Sequence, residues 1–176
     1  TNPTYVNIKG QKVALLAYTD IECYSGVECV DIEKIKKDIS TAKDNSDLII
    51  IMYHWGAEYR DYPTTRQKEI AHLSVDAGAD LVLGNHPHWI QPFEVYKDKL
   101  IMYSHGNLVF DQMWSKKTRE GVLVEYIFSK NDLIDAKIHP ILIEDYGQPY
   151  LLQEQAKADK IEFIKNISEN LAKGTF

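Results

Sequence analysis

Asp80-Leu81-Val82-Leu83-Gly84-Asn85-His86-Pro87-His88 runs from a short apolar strand into two imidazoles spaced two residues apart. A second apolar strand, from Leu48 to His54, also closes on an imidazole. First-row metals bind neutral imidazole nitrogens on short, rigid supports, and the carboxyl ends of strands are where α/β sheets gather such groups. Residues two apart point to the same side if the strand continues, and Pro87 restrains the backbone between the pair. His54, His86 and His88 are therefore the candidate metal ligands. The alternative is a set of structural histidines, which a His-x-His pair by itself does not exclude.

The flanking sequence supplies the scaffold. Lys12 to Tyr18 is a compact apolar run opened by Gly10 and reads as a buried strand, while Asp31 to Lys43 has helical spacing with Ile32, Ile35 and Ile39 on one face. Asp47 to Tyr53 is the next strand. Thr64 to Ala77 reads as a helix capped by Thr64 and stopped by Gly78, and Leu81 to Leu83 is a third strand. Strand, helix, strand, helix, strand predicts parallel pairing.

After His88 the pattern becomes β-rich. Pro92 to Tyr96 and Lys99 to Tyr103 flank a turn at Lys97-Asp98, and Val122 to Phe128 and Ile134 to Ile143 flank one at Asn131-Asp132. A closing helix from about Gln155 to Lys173 carries Ile161, Ile164, Ile167 and Leu171 as one stripe, the pattern of a helix packed on a sheet. The expected class is α/β, with α+β features in the second half. No repeat, low-complexity tract or linker divides residues 1–176, so they read as a single region.

At 176 residues, 44% hydrophobic and 26% charged, the chain has the composition of a folded globular protein rather than a disordered one. No stretch approaches the roughly 20 apolar residues that span a bilayer. A formal charge of -6 leaves no basic footprint for nucleic acid, so an anionic polymer would bind only through local cations or a metal. The chain opens at Thr1 without Met, which makes the absence of an export signal uninformative. Cys23 and Cys29 are the only cysteines; their spacing fits no standard zinc pattern and leaves open a short disulfide or two separate thiols.

Several motifs in order resemble one family. They are His54-Trp55-Gly56-x-Glu58-Tyr59, then Pro63 and Gln67, Gly78-Ala79-Asp80, Gly84-x-His86-Pro87-His88, Gln91-Pro92-x-Glu94, and Tyr103-Ser104-x-Gly106-Asn107-x-Val109-Phe110-Asp111-Gln112. From about Gly10 to Gln112 the chain resembles the bacterial poly-gamma-glutamate capsule biosynthesis proteins of the CapA type, which are similar in fold to the calcineurin-like dimetal phosphoesterases. The resemblance implies the C-terminal half of a metallophosphatase-like four-layer α/β/β/α sandwich. His54, His86 and His88 match metal ligands, and Glu58, Asn107 and Asp111 match positions that touch substrate or support the ligands. His105 stands where relatives usually carry an apolar residue and is either an added pocket group or a simple substitution.

Gly84-Asn85-His86 also invites comparison with the Gly-Asn-His motif that supplies a catalytic His in many phosphoesterases. Pro87 stands where an acidic residue usually follows, so His86 reads as a ligand. The catalytic His and the acidic ligands are expected upstream of this chain. The resemblance further implies two divalent ions in the complete protein (Mn, Fe or Zn), a substrate such as polyglutamate, and the N-terminal half of the same domain as a partner. It also implies a cell-surface location, with membrane anchoring through a segment outside this chain. The expected activity is metal-dependent hydrolysis in exopolymer biosynthesis, and the rival is a non-catalytic polymer-binding or assembly module on the same fold. A half-domain should leave apolar surface uncovered, with Val13, Leu15, Ile49 and Ile51 as the candidates and homodimer formation as one outcome.

Overall fold

The computed structural model describes residues 3–176. The expected alternation is present as β2 (Gln11–Thr19), α1 (Ile32–Lys43), β3 (Leu48–His54), α2 (Thr65–Ala77) and β4 (Leu81–Asn85). These three strands pair in parallel, Leu16 opposite Ile51 and Ile51 opposite Val82. β1 (Thr4–Ile8) adds to the β2 edge as an antiparallel hairpin. On the other side, β5 (Phe93–Tyr96) turns into β6 (Lys99–Met102), which runs parallel to β4. The resulting six-stranded sheet has the order β1-β2-β3-β4-β6-β5.

Local chemistry sets the helix ends. Asp31 accepts from the Lys34 amide at the start of α1. Thr64 and Gln67 form a reciprocal capping box on α2, and Gly78 ends that helix at φ +121°. Both helices press on one sheet face, where Ile35, Ile39, Ile70 and Ala71 meet Leu16, Ile51, Tyr53 and Val82 in the main core.

The second half forms α3 (Lys116–Arg119), β7 (Glu120–Ser129), β8 (Asp132–Glu144), β9 (Gln148–Leu151) and α4 (Glu154–Lys173). β7, β8 and β9 make an antiparallel sheet on the face opposite α1 and α2, where Val122 and Val124 pack with Met102 and Leu83. α4 packs against β5 and β8 and buries Ile164, Ile167 and Leu171, with Ile161 half-buried. The class is mixed α/β, as the sequence predicts.

Three elements lie outside the sequence expectations. β9 contains Pro149 and is exposed along its length, so it carries no apolar signal; it is an edge strand, where proline is tolerated. α3 is a single turn of polar residues. β1 depends on pairing with β2 through a turn at Lys9 and Gly10, both at positive φ. The β7–β8 turn falls on Lys130-Asn131, one residue earlier than expected, with Lys130 at φ +55°.

The expected uncovered residues need correction. Ile49 and Ile51 lie under the helices with Ala14 and Leu16, whereas Val13 and Leu15 share the opposite face with Leu48 and Ile50. Alternate strand residues face opposite ways, so the four cannot share one surface. On that second face Leu15, Ile50, Met52 and Leu83 are half-buried, and a groove of about 520 Å³ separates Val13, Ile50 and Leu83 from Tyr126 and Phe128.

β4 sits tightly against its neighbours at Gly84. A Cβ added there would come within 2.0 Å of the Tyr103 carbonyl oxygen and 2.3 Å of Trp55 Nε1. Both groups are fixed, since Trp55 is fully buried and its Nε1 donates to that same carbonyl at 3.0 Å. Gly84→Ala is expected to destabilise the fold by at least about 1–3 kcal/mol through overpacking. Urea unfolding followed by circular dichroism checks this, and an unchanged midpoint would refute the close approach.

Candidate metal site

The carboxyl ends of β3 and β4 lie side by side, with His54 opposite Asn85. The chain after each strand is held to the other by main-chain bonds: Trp55 N donates to Asn85 O at 3.0 Å and Tyr59 N to Pro87 O at 2.9 Å. This lacing brings the loop carrying Glu58 against the loop carrying His86 and His88.

The Glu58 loop has a second anchor. Gly56 stands at φ +86°, and a Cβ there would meet the Gln67 side chain at 2.4 Å. Gln67, fully buried, donates to Gln91 Oε1, and Gln91 Nε2 in turn donates to the Arg60 and Tyr62 carbonyls. The same glutamine that caps α2 therefore braces the loop, through Gln91, that presents Glu58.

The donor groups converge. The His54 and His86 ring centroids are 4.6 Å apart and those of His86 and His88 are 6.0 Å apart. Donor atoms of Glu58, His86 and His88 all lie within 4.8 Å of one another, and His88 Nε2 is 3.7 Å from Glu58 Oε1. His86 and His88 are half-buried, and Glu58 and His54 are exposed. Two imidazole nitrogens and one carboxylate form the cluster, while His54, expected as a third ligand, lies outside that group and packs beside it on His86. This mixed nitrogen and oxygen donor set is suited to a divalent first-row ion, so the residues present fit such a group.

Other expected residues take different positions. Asn107 is buried, and its Oδ1 lies 2.8 Å from His88 Nδ1. Asp111 is exposed, and among the described residues the carboxylate that converges with the histidines is that of Glu58. His105 points between the two sheets: its Nδ1 donates to Gly84 O at 3.2 Å, and its Nε2 accepts from Tyr126 OH at 2.9 Å. It supports the strand leading to His86 rather than joining the cluster.

Two aromatic neighbours of His88 have no role legible in the sequence. Tyr59 stacks on its ring at 5.7 Å, and Phe110 lies 5.0 Å away. Both residues occur in the motifs that carry the resemblance, but only tertiary proximity assigns them to this wall. Cys23 and Cys29 are bonded to each other in the loop after β2.

The backbone is unusual at this point. Tyr59, His86 and His88 adopt φ of +59°, +101° and +61°. Such values in non-glycine residues typically cost about 1–3 kcal/mol each and cluster at functional sites. Desolvation, reinforced by neighbouring imidazoles, lowers the pKa of His54 and of His86, and burial lowers that of His105. These shifts favour the neutral imidazole that metal binding requires.

Strain and charge each have a measurable signature. His86→Gly is expected to be more stable than His86→Ala by about 1 kcal/mol, because glycine accepts positive φ without a steric penalty. Equal urea midpoints for the two variants would refute the strain. In metal-free protein, folded-state pKa values below about 6.5 mean that the unfolded chain binds more protons just below that pH. Stability contributed by His54, His86 and His105 is thus fully present above about pH 6.5 and lost as pH falls through their lower folded values. Unfolding midpoints measured between about pH 5 and 8 should fall on acidification, and a rise would contradict the sign.

Comparison with known proteins gives the family and the fold. The model of the family described as bacterial capsule synthesis protein PGA_cap matches residues 1–112. The capsule biosynthesis protein CapA of Bacillus anthracis is 35% identical, over 98% of this chain and 44% of its own length. The PGA biosynthesis protein CapA of Bacillus subtilis is 38% identical, over 81% of this chain and 39% of its own. The chain thus spans less than half the length of these relatives. Among solved structures, a hypothetical protein from Thermus thermophilus aligns with a TM-score of 0.56 at 12% identity, covering 88% of this chain and 62% of that one. A putative 5'-nucleotidase from Staphylococcus aureus aligns with a TM-score of 0.52, also at 12% identity, covering 94% of this chain and 34% of that one. The structural likeness is one of fold, whereas the sequence matches extend along the strands and loops that carry the histidines; the chain belongs to the CapA-type family of bacterial capsule synthesis proteins.

Proposed function

We propose that this chain contributes part of the metal site of a metal-dependent hydrolase-like protein that acts on an extracellular anionic polymer, poly-gamma-glutamate, during capsule biosynthesis. The observation that supports it is the convergence of Glu58, His86 and His88, with His54 packed on His86. Divalent metal, most simply a pair of ions, would supply Lewis acidity toward the scissile group and lower the pKa of an attacking water. His54, His86 and His88 would hold it through neutral nitrogens and Glu58 through its carboxylate. The Tyr59 and Phe110 rings wall one side and limit water around His88.

One carboxylate among three imidazoles leaves much of the charge of two divalent ions uncompensated. Further acidic ligands and the catalytic acid are therefore assigned to residues outside this chain, consistent with the greater length of the relatives. The same additional chain is the proposed cover for the half-buried face at Leu15, Ile50, Met52 and Leu83, with self-association as its substitute when that cover is missing. No helix among the described residues is long and apolar enough to cross a membrane, and the proposed cell-surface anchor is likewise placed outside them.

The test uses protein of the relatives' full length, dialysed against Mn²⁺ or Zn²⁺ and analysed for bound metal. Cleavage of poly-gamma-glutamate is then followed by size-exclusion chromatography. Bound metal and cleavage are expected, and His86→Ala with His88→Ala should weaken metal affinity at least as much as the roughly 10–100-fold typical of losing an outer hydrogen-bond partner. Retention of polymer without metal and without cleavage would replace this reading with that of a binding or assembly module.

A further inference from the structure

The geometry points to Asn107, held by Thr118 and Gln112, as a positioning residue that keeps the His88 proton on Nδ1 and leaves the Nε2 lone pair turned toward Glu58 as half of a cation seat. This deepens the metal reading above and rests on it for the identity of the ligand.

The assignment follows from donor counting. Asn107 Nδ2 lies 2.8 Å from the Thr118 carbonyl oxygen, a group that only accepts. The reverse amide orientation would set Oδ1 against that oxygen, two acceptors in contact within a buried site. Nδ2 therefore faces Thr118, and Oδ1 faces His88 Nδ1 at 2.8 Å. An oxygen that can only accept requires His88 Nδ1 to donate, so in the neutral ring Nε2 carries the lone pair.

Gln112 completes the arrangement. Its Oε1 takes the second Asn107 Nδ2 hydrogen at 3.3 Å, and its Nε2 donates to Tyr59 OH at 3.2 Å. Tyr59 is the ring stacked on His88, so one glutamine steadies the imidazole from its edge and from its face. Thr118 is fixed in turn, its Oγ1 donating to Gln112 O at 2.8 Å and its amide to Ser115 Oγ at 3.1 Å. Asn107 and Gln112 are each 7% exposed, so water competes poorly for these bonds.

The consequence lies on the other edge of the ring. His88 Nε2 and Glu58 Oε1 stand 3.7 Å apart, and with the neutral ring in its Nδ1–H form they face each other as two acceptors. A cation bound by both reconciles that pair, and His86 contributes a donor atom to the same group. Orientation of a metal-binding imidazole through its other nitrogen typically changes affinity about 10–100-fold.

The test is two-bond ¹H–¹⁵N correlation spectroscopy of metal-free, histidine-labelled protein of the relatives' full length near pH 8. His88 is expected in the Nδ1–H form, which free imidazole side chains disfavour. Asn107→Leu should shift it toward Nε2–H and weaken Zn²⁺ binding, read by calorimetry, about 10–100-fold. Gln112→Leu should produce a smaller shift in the same direction. Gln112→Glu should retain the Nδ1–H form, since a carboxylate oxygen at that position still accepts from Asn107 Nδ2, although the bond that Gln112 Nε2 donates to Tyr59 OH is lost.

Wild-type His88 in the Nε2–H form would overturn the proposal even if Asn107→Leu failed to fold. So would a folded Asn107→Leu protein that retained Nδ1–H. Tight Zn²⁺ with the wrong tautomer would remove the positioning role and leave the metal reading in place. The expected tautomer with no Zn²⁺ bound would remove the cation seat and the metal reading but leave the hydrogen-bond assignment standing.

Discussion

Trp55 lies fully buried just past the end of β3, stacked on Tyr53 at 4.6 Å and donating its indole N–H to the Tyr103 carbonyl oxygen. That bond crosses β4 at Gly84, the one residue type without a Cβ to obstruct it. The contact locks the ends of β3, β4 and β6 at a common level. His54 leaves from the first strand, His86 and His88 from the second, and Asn107 from the chain just beyond the third. If this junction loosened, the three loops would lose the reference that makes their side chains meet.

The site stores strain on a rigid support. Three non-glycine residues at positive φ sit where two parallel strands end, above a core with Ile51, Tyr53 and Val82 almost completely inaccessible. Local strain of this kind persists only when surrounding contacts over-determine the backbone. Here the Gln67–Gln91 pair and the Tyr59 to Pro87 main-chain bond supply that surplus. The His54 and His86 imidazoles are at the same time desolvated and crowded by neighbouring imidazoles, which favours their neutral form.

Much of the first half is legible because its signals are local. The strands read at Lys12 to Tyr18 and Asp47 to Tyr53, the Thr64–Gln67 box and the Gly78 stop act through neighbours a few residues away, and each element appears within one or two residues of its expected bounds. β9 and α3 carry no such signal, since an exposed edge strand with Pro149 and a single polar turn owe their conformation to the chains they touch. Assigning Ile49 and Ile51 to the open face fails for the opposite reason: a run that is apolar at every position does not say which residues face which layer.

At the site, the spacing of His86 and His88 and the strand-ending position of His54 are visible as residues suited to one pocket, because strand periodicity and the carboxyl edge of a parallel sheet confine where they point. The roles of Glu58, Asn107, Gln112 and His105 are not. Glu58 joins His86 and His88 through a loop folded over Gly56, Asn107 meets His88 across 19 residues, and His105 turns away to Tyr126 on another sheet. Sequence alone therefore determined β2, β3 and β4, their parallel pairing and the residue types offered at their ends. Tertiary structure decided which side chains converge, because hydrogen-bond distances between loops depend on chain closure and close packing that no local pattern encodes.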